Sequence, residues 1–168
     1  MRSELTTLGI VALCCLASCT DSSEKAAKYR AALDKAQLSL ADSVKVAEAD
    51  TVDGIGVRAA LLINGDAVFN VGALASIDFR DVRVDIVSGK VLSNVVGANM
   101  AQDCPGAISL TAALAAAEAE VGGDAVAIEP DDDGMCNREV KVVESDTVWE
   151  VKVGPDGSIV ETEEDDED

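Results

Sequence analysis

Two segments of the chain repeat one pattern, and this repeat limits the possible folds more than any other feature. Residues 38–49 and 108–119 align without gaps. The identical positions are Ser39/Ser109, Leu40/Leu110, Ala47/Ala117, Glu48/Glu118 and Ala49/Ala119. Apolar residues in the second segment recur at helical spacing, and in both segments a serine precedes them where a helix N-cap belongs. Each segment therefore predicts an amphipathic helix that buries one side.

Short apolar strands are predicted after both helices. They cover residues 57–63, 67–74, 79–85 and 90–95 after the first helix, and 125–129, 138–144, 147–153 and 158–161 after the second. Asn64-Gly65 is a hairpin signal, because both residues tolerate positive φ. Valines at alternate positions predict one apolar face for each sheet. The expected fold class is α+β, with two tandem units that each pack one helix on a small antiparallel sheet.

The chain is predicted to have six parts. These are a signal peptide (1–18), a tether (19–36), a degenerate first unit (37–97), a linker (98–106), a second unit (107–162) and an acidic tail (163–168). The tether prediction follows from a polar, Ala/Lys-rich segment that has little apolar surface to bury. The tail is expected to be solvated, and a docking strip for a basic partner is the alternative.

A helix followed by an antiparallel meander resembles the PepSY domain family. The second copy carries the resemblance in residues 149–153 (WEVKV) and 157–160 (GSIV). The first copy keeps residues 82–85 (VRVD) and 89–92 (GKVL). The family is known from propeptides of secreted metallopeptidases, where it is associated with restraint of the enzyme. The resemblance implies a non-catalytic binding or peptidase-restraining module and supplies no catalytic residues.

The N-terminus predicts export and lipidation. Residues 5–16 form an apolar run of about a dozen residues, which is the length of a signal h-region and too short to cross a bilayer of ~30 Å. The run ends in the sequence LASC at residues 16–19, which resembles the lipobox of bacterial lipoproteins. That resemblance implies a lipid on Cys19 that holds the protein to a bacterial membrane. Thr20 at the next position favours the outer membrane, and an ordinary cleaved signal is the alternative.

Cys104 and Cys136 are the cysteines that remain outside the signal and the lipobox. Two such cysteines in an exported protein predict a disulfide. A redox or metal-binding pair is the alternative, but the spacing is not C-x-x-C and the chain has no histidine. Residues 131–134 (DDDG) invite a calcium interpretation, yet Val140 stands where the loop would need a glutamate. We therefore predict a solvated loop there and no metal site.

The charge balance limits the classes of function. Lys+Arg 13 against Asp+Glu 32 gives a net charge of −19, which would repel nucleic acid. Histidine, the commonest general base and metal ligand, is absent. No group of serines, lysines or carboxylates stands out as catalytic. We predict that the protein is not an enzyme and uses no cofactor.

The expected function is that of a membrane-anchored envelope lipoprotein that binds or restrains another protein, such as a secreted peptidase. A structural component of an outer-membrane complex and an acidic buffer for divalent cations are the alternatives. Trp149, the only tryptophan, is expected in the core. The strand at 158–161 is expected to form an exposed edge that could accept a strand from a partner.

Overall fold

The protein folds as three helices and eight strands over the residues that the computed structural model describes, which are 21–76, 78–97, 104–131 and 136–165. The helices are α1 (Asp21–Leu33), α2 (Leu40–Asp50) and α3 (Leu110–Val121). The strands are β1 (Ile55–Leu62), β2 (Val68–Leu74), β3 (Phe79–Asp85), β4 (Val91–Val96), β5 (Asp124–Pro130), β6 (Arg138–Glu144), β7 (Thr147–Val153) and β8 (Ile159–Glu164). All strand pairs are antiparallel, so the predicted α+β fold class is confirmed.

Serine caps begin the two repeated helices, as predicted. The Ser39 hydroxyl accepts a hydrogen bond from the Asp42 N–H, and the Ser109 hydroxyl accepts one from the Ala112 N–H. Each bond satisfies an N–H group that the first turn of a helix leaves without a partner. Helix α3 ends at Val121 and is capped by Gly122, whose left-handed conformation (φ +83°) suits a residue without a side chain.

The two predicted sheets are halves of one sheet, because β1 pairs with β5. This seam is short: Ala59 lies opposite Ile128, and Ala60 lies opposite Ala127. The strand order is β4-β3-β2-β1-β5-β6-β7-β8, so each half extends outward from the seam. Pairing at the seam satisfies backbone groups that separate sheets would leave on two more exposed edges. The structure thereby corrects the expectation of a separate small sheet for each helix.

Matched hydrogen bonds join each repeated helix to the first strand of its own half. Glu48 of α2 accepts a bond from the Gly56 N–H at 2.8 Å. Glu118 of α3, at the aligned position, accepts a bond from the Ala125 N–H at 3.1 Å. The conserved spacing of the two copies thus places equivalent carboxylates on equivalent backbone donors.

A second pair of matched contacts closes each half. Leu38 lies against Gly89 (φ +66°), and Ile108 lies against Gly157 (φ +88°). Both glycines adopt a backbone conformation that other residues rarely take, and both leave room for the apolar side chain. These contacts support the repeat found in the sequence, while the boundaries assigned to the two units remain a prediction.

The core lies between the sheet and helices α2 and α3. The fully buried strand residues on this side include Phe69, Val71, Val82, Val84, Val140, Val142, Val151 and Val153. They belong to one cluster with Val44 of α2 and Leu114 of α3. One continuous core therefore serves both halves of the sheet.

Helix α1 packs on the opposite side of the sheet, against β6 and β7. Ala26 is fully buried and Ala32 is nearly so. Val143 and Val148, which alternate away from the α3 side, belong to the same core cluster. The predicted tether at 19–36 is therefore corrected, because α1 is part of the folded protein. This packing could not be predicted from the sequence, because alanine side chains present little apolar area and form no clear apolar stripe along the helix.

Candidate functional site

Asp165 joins the end of the chain to α1 and β6. Its carboxylate lies 2.7 Å from Lys25 Nζ and 3.2 Å from Lys141 Nζ, and its backbone N–H donates to the Val148 carbonyl at 2.9 Å. Burial by itself raises the pKa of Asp165, but hydrogen bonds from Lys25 and Lys141 outweigh burial, so the pKa lies below its usual value. Compensation by two lysines is the physical reason why this carboxylate can be buried.

The predicted acidic tail is corrected by this arrangement. Glu163 and Glu164 belong to β8, and the Asp165 side chain is fully buried. Residues 166–168 lie outside the described part of the chain. The sequence run alone could not reveal the burial of Asp165, because both lysines that compensate it lie far away along the chain.

A pair of glutamates lies on the same side of β6 and β7 as Lys141. Burial raises the pKa of Glu139 to about 7, and the charge of Glu150 and a hydrogen bond with it add to the rise. Lys141 Nζ lies 3.7 Å from the Glu150 carboxylate and opposes the rise. A carboxyl group of this kind titrates near neutral pH, which makes it a pH-sensitive surface group.

The two edges of the sheet differ in their chemistry. Strand β8 forms one edge and carries the exposed residues Glu161, Glu163 and Glu164. Its position at an edge agrees with the expectation for residues 158–161. The edge of the second half of the sheet is therefore open and acidic.

Strand β4 forms the other edge, and its exposed residues are apolar. Leu92, Val95 and Val96 are 57%, 54% and 64% exposed. No residue from Val91 to Val96 carries a charge. Sequence reasoning missed this surface, because exposure of β4 follows from the strand order. The lack of any charge in a segment of a strongly acidic chain was the signal that could have revealed it.

Asn94 ties the middle of β4 to its surroundings. Arg80 Nε donates to Asn94 Oδ1 at 2.8 Å, and Arg80 Nη2 donates to the Asn94 carbonyl at 3.1 Å. Asn94 Nδ2 donates to the Asp50 carboxylate at 2.8 Å. These bonds hold β4 against β3 and the end of α2, so the apolar edge is well ordered.

Cys104 and Cys136 form the predicted disulfide, with their Cα atoms 5.8 Å apart. The bond joins the segment before α3 to the segment before β6. It therefore closes a loop that contains α3 and β5. In the chain-entropy description, a disulfide that closes a loop of this size stabilises the folded protein by about 3 to 4 kcal/mol, because it restricts the unfolded chain.

Trp149 lies in the middle of β7, opposite Val142 of β6 and Glu164 of β8. It is half-buried, so it is neither a fully buried core residue nor an exposed anchor. Its indole Nε1 is buried and meets no hydrogen-bond partner among the described residues. The sequence predicts a core position for Trp149, and the structure shows its side chain only partly buried.

Two predicted features lie mainly outside the described residues. Cys19, the predicted lipid site, lies outside the described residues, and the predicted signal peptide at 1–18 does too. Of the acidic loop at 131–134, only Asp131 is described, and its carboxylate pairs with Lys152 Nζ at 2.7 Å. Within the described ranges, no group of three or more potential ligands is placed to hold a metal ion. No helix in those ranges is long and apolar enough to span a membrane.

Residues 107–163 match the family model described as PepSY, the peptidase propeptide and YPEB domain. The predicted resemblance to the PepSY family is thereby confirmed for these residues, which cover the second half of the sheet. The matched residues include α3, strands β5 to β7 and all of β8 except Glu164. The description of the family names a peptidase propeptide domain. The first copy of the repeat, at residues 37–97, lies outside the match.

One solved structure is similar in overall shape. It is a crystal structure from Clostridium difficile 630, described as that of a candidate lipoprotein. The two chains are 14% identical, the likeness covers 77% of this chain and 95% of that chain, and the TM-score is 0.48. A likeness at this level carries no argument about function. A comparison with curated proteins finds no match.

Proposed function

We propose that this protein is a lipid-anchored envelope protein whose PepSY domain binds another protein without catalysing a reaction. The observation that carries the proposal is the match of residues 107–163 to a family described from peptidase propeptides. The open edge strand β8 belongs to the matched segment. A domain that acts by contact with a partner needs such an exposed surface.

The chemistry of β8 favours a basic partner. Glu161, Glu163 and Glu164 are exposed on this edge, and the whole chain carries a net charge of −19. Complementary charge speeds encounter with a basic surface and repels acidic ones. An extended segment of a secreted peptidase or of another envelope protein could add a strand to β8 through backbone hydrogen bonds.

The lipid on Cys19 would hold the folded protein close to the membrane. Helix α1 begins at Asp21, two residues after Cys19. Two extended residues reach at most about 7 Å. The proposed anchor therefore has almost no spacer, and the side of the sheet that carries α1 would lie near the membrane surface.

Mass spectrometry of the mature N-terminus tests the anchor. We expect the chain to begin at Cys19 with diacylglycerol on its thiol. The Cys19→Ala variant should be left unprocessed or released from the membrane fraction. A mature chain that begins at or after Cys19 and carries no lipid would contradict this part of the proposal.

Capture of partners from the native envelope, followed by binding kinetics, tests the binding role. We expect a stoichiometric complex that weakens with salt, because the Debye length falls from ~10 Å at 0.1 M to ~3 Å at 1 M. Neutralising β8 with Glu161→Gln, Glu163→Gln and Glu164→Gln should slow association more than it speeds dissociation. The matched control is Asp53→Asn, Asp66→Asn and Glu120→Gln, which changes the net charge equally at exposed sites elsewhere. Equal effects of the two triple variants would refute a role for β8.

A further inference from the structure

We infer that the apolar edge β4 pairs with β4 of a second copy of this chain, so that one antiparallel sheet runs through both copies. The inference goes beyond the proposed function, which concerns the opposite edge of the sheet. Leu92, Val95 and Val96 are each more than half exposed on β4. An exposed apolar edge strand is a site at which chains associate, unless it is protected.

The backbone of β4 offers hydrogen-bonding groups to a second copy. The Gly97 N–H donates inward to the Phe79 carbonyl at 2.8 Å. Because inward and outward groups alternate along an antiparallel strand, Asn94 and Val96 direct their N–H and C=O groups away from β3. The Asn94 carbonyl accepts a bond from Arg80, but a carbonyl oxygen has a second lone pair that can accept another.

The sequence of β4 is complementary to itself in the register that these groups allow. A twofold axis at Asn94 places Asn94 opposite Asn94 of the second copy and Ser93 opposite Val95. The same register brings the Leu92 side chain beside Val96 of the second copy. The ladder shift between β3 and β4 at Val84 leaves Leu92 as the extra residue, so regular pairing covers residues 93–95 of both copies and Leu92 meets Val96 at each end. Side chains that are now exposed would become cross-strand apolar neighbours.

The distribution of charge favours β4 over β8 as the contact between two copies. Pairing of two β8 strands would bring glutamates of both copies together, which is unfavourable for like charges. Strand β4 has no charge between Val91 and Val96, and Arg83 and Lys90 lie next to it. Two chains of net charge −19 can therefore pair along β4 with no carboxylate on either of the paired strands. The Asp50 carboxylate beside β4 already accepts a hydrogen bond from Asn94.

The geometry is compatible with two anchored copies in one membrane. A twofold axis that continues a sheet edge to edge is perpendicular to the sheet, so both copies present the same face to the same side. Helix α1 lies on one face, and therefore both N-termini would emerge on that side. The placement of both copies in one membrane rests on the proposed lipid anchor, whereas the pairing of the β4 strands does not.

Sedimentation and light scattering of the exported mature protein test the inference. We expect the wild type to have twice the mass of one chain, and Leu92→Glu to have the mass of one chain. The matched control is Val160→Glu, since Val160 on β8 is 56% exposed and Leu92 is 57% exposed. This control should keep the doubled mass. A wild-type protein of single mass, or a Leu92→Glu variant of doubled mass, would overturn the inference.

Oxidative cross-linking tests the register and does not depend on Leu92→Glu folding well. Asn94→Cys should form a covalent dimer, because opposite residues in a hydrogen-bonded pair have Cα atoms about 5.5 Å apart. Leu92→Cys should not, because the two Leu92 positions would lie about 13 Å apart along the strands. The native disulfide occupies Cys104 and Cys136, and the unsubstituted protein, oxidised in parallel, reports any cross-linking through Cys19. Cross-linking of Leu92→Cys but not of Asn94→Cys would rule out this pairing.

Discussion

At the scale of single residues, carboxylates on the α1 side of the sheet occupy two opposite environments. Asp165 receives hydrogen bonds from two lysines, which hold its pKa below the usual value despite burial. The stability that this ionised carboxylate contributes is present above the pKa of the unfolded chain and is lost as the pH falls through the lower folded pKa. Glu139 faces Glu150, and its pKa is raised instead. At Asp165 the two lysines reverse the effect of burial on the pKa, whereas at Glu139 burial sets the direction of the shift and Glu150 adds to it.

Glu139 gives a residue-scale prediction about pH. Its pKa rises from 4.5 to about 7 in the folded protein, so over that interval the folded state holds a proton that the unfolded chain has lost. The stability contributed by the protonated form is full below 4.5 and disappears as the pH rises through about 7. Glu139→Gln keeps a neutral side chain at all pH values. We expect the variant to match the wild type near about pH 4 and to be the more stable protein near about pH 8.

Urea unfolding at a series of pH values measures this difference. The control is Glu161→Gln, which changes an exposed glutamate on β8 and should show no comparable rise with pH. Glu129 of β5 and Glu150 and Lys152 of β7 face Glu139 from the adjacent strands. Lys141 lies on the same strand as Glu139, and all four groups stay in place in the variant. A constant difference between variant and wild type across the pH range would contradict the assigned role of Glu139.

At the scale of elements, α1 shows how a helix with a weak apolar pattern becomes part of the core. Its contacts come from small side chains, above all the fully buried Ala26, and from the ion pair between Lys25 and Asp165. Arg30 Nε also donates to the Ser145 carbonyl in the turn between β6 and β7. The helix is therefore held at several points along its length.

The packing of α1 is tested by two substitutions in the same helix. Ala26→Glu would place a charge in a fully buried position, and we expect a loss of about 3 kcal/mol or more in the free energy of unfolding. Ala27→Glu changes the next residue, which is exposed, and should alter stability by less than about 0.5 kcal/mol. Chemical denaturation measures both values. Similar small losses for the two variants would mean that α1 behaves as a tether.

At the scale of the whole molecule, one sheet and one core join both repeated halves. The β1–β5 seam, the contact between α2 and α3, and the shared core cluster all cross from one half to the other. The disulfide lies in the second half alone. Stability gained from the disulfide should therefore be shared by the entire fold.

This continuity predicts a single unfolding transition. In calorimetry we expect one peak, with a calorimetric enthalpy equal to the van't Hoff enthalpy. Reduction of the Cys104–Cys136 bond should shift that peak to lower temperature without splitting it. Ala60→Pro removes the backbone donor of a residue that pairs with both β2 and β5, and it should lower the melting temperature of the whole protein. Two separate peaks, with only the later half responding to reduction, would show that the halves unfold independently.

The sequence by itself determined those features whose causes lie within a short stretch of chain. Ser39 and Ser109 cap their helices because the groups that they satisfy are only a few residues away. The strands at 79–85, 138–144 and 147–153 have the predicted bounds, since alternation of apolar residues is a local property. The disulfide followed from the small number of candidate cysteines.

Only the tertiary structure decided the features that depend on distant neighbours. Pairing of β1 with β5 joined the two halves, packing against β6 and β7 gave α1 its buried side, and two lysines from distant elements allowed Asp165 to be buried. The exposure of β4 likewise follows from strand order rather than from its own residues. The physical reason is that burial and strand partnership are properties of surfaces brought together by folding, whereas caps and periodicity act along the chain.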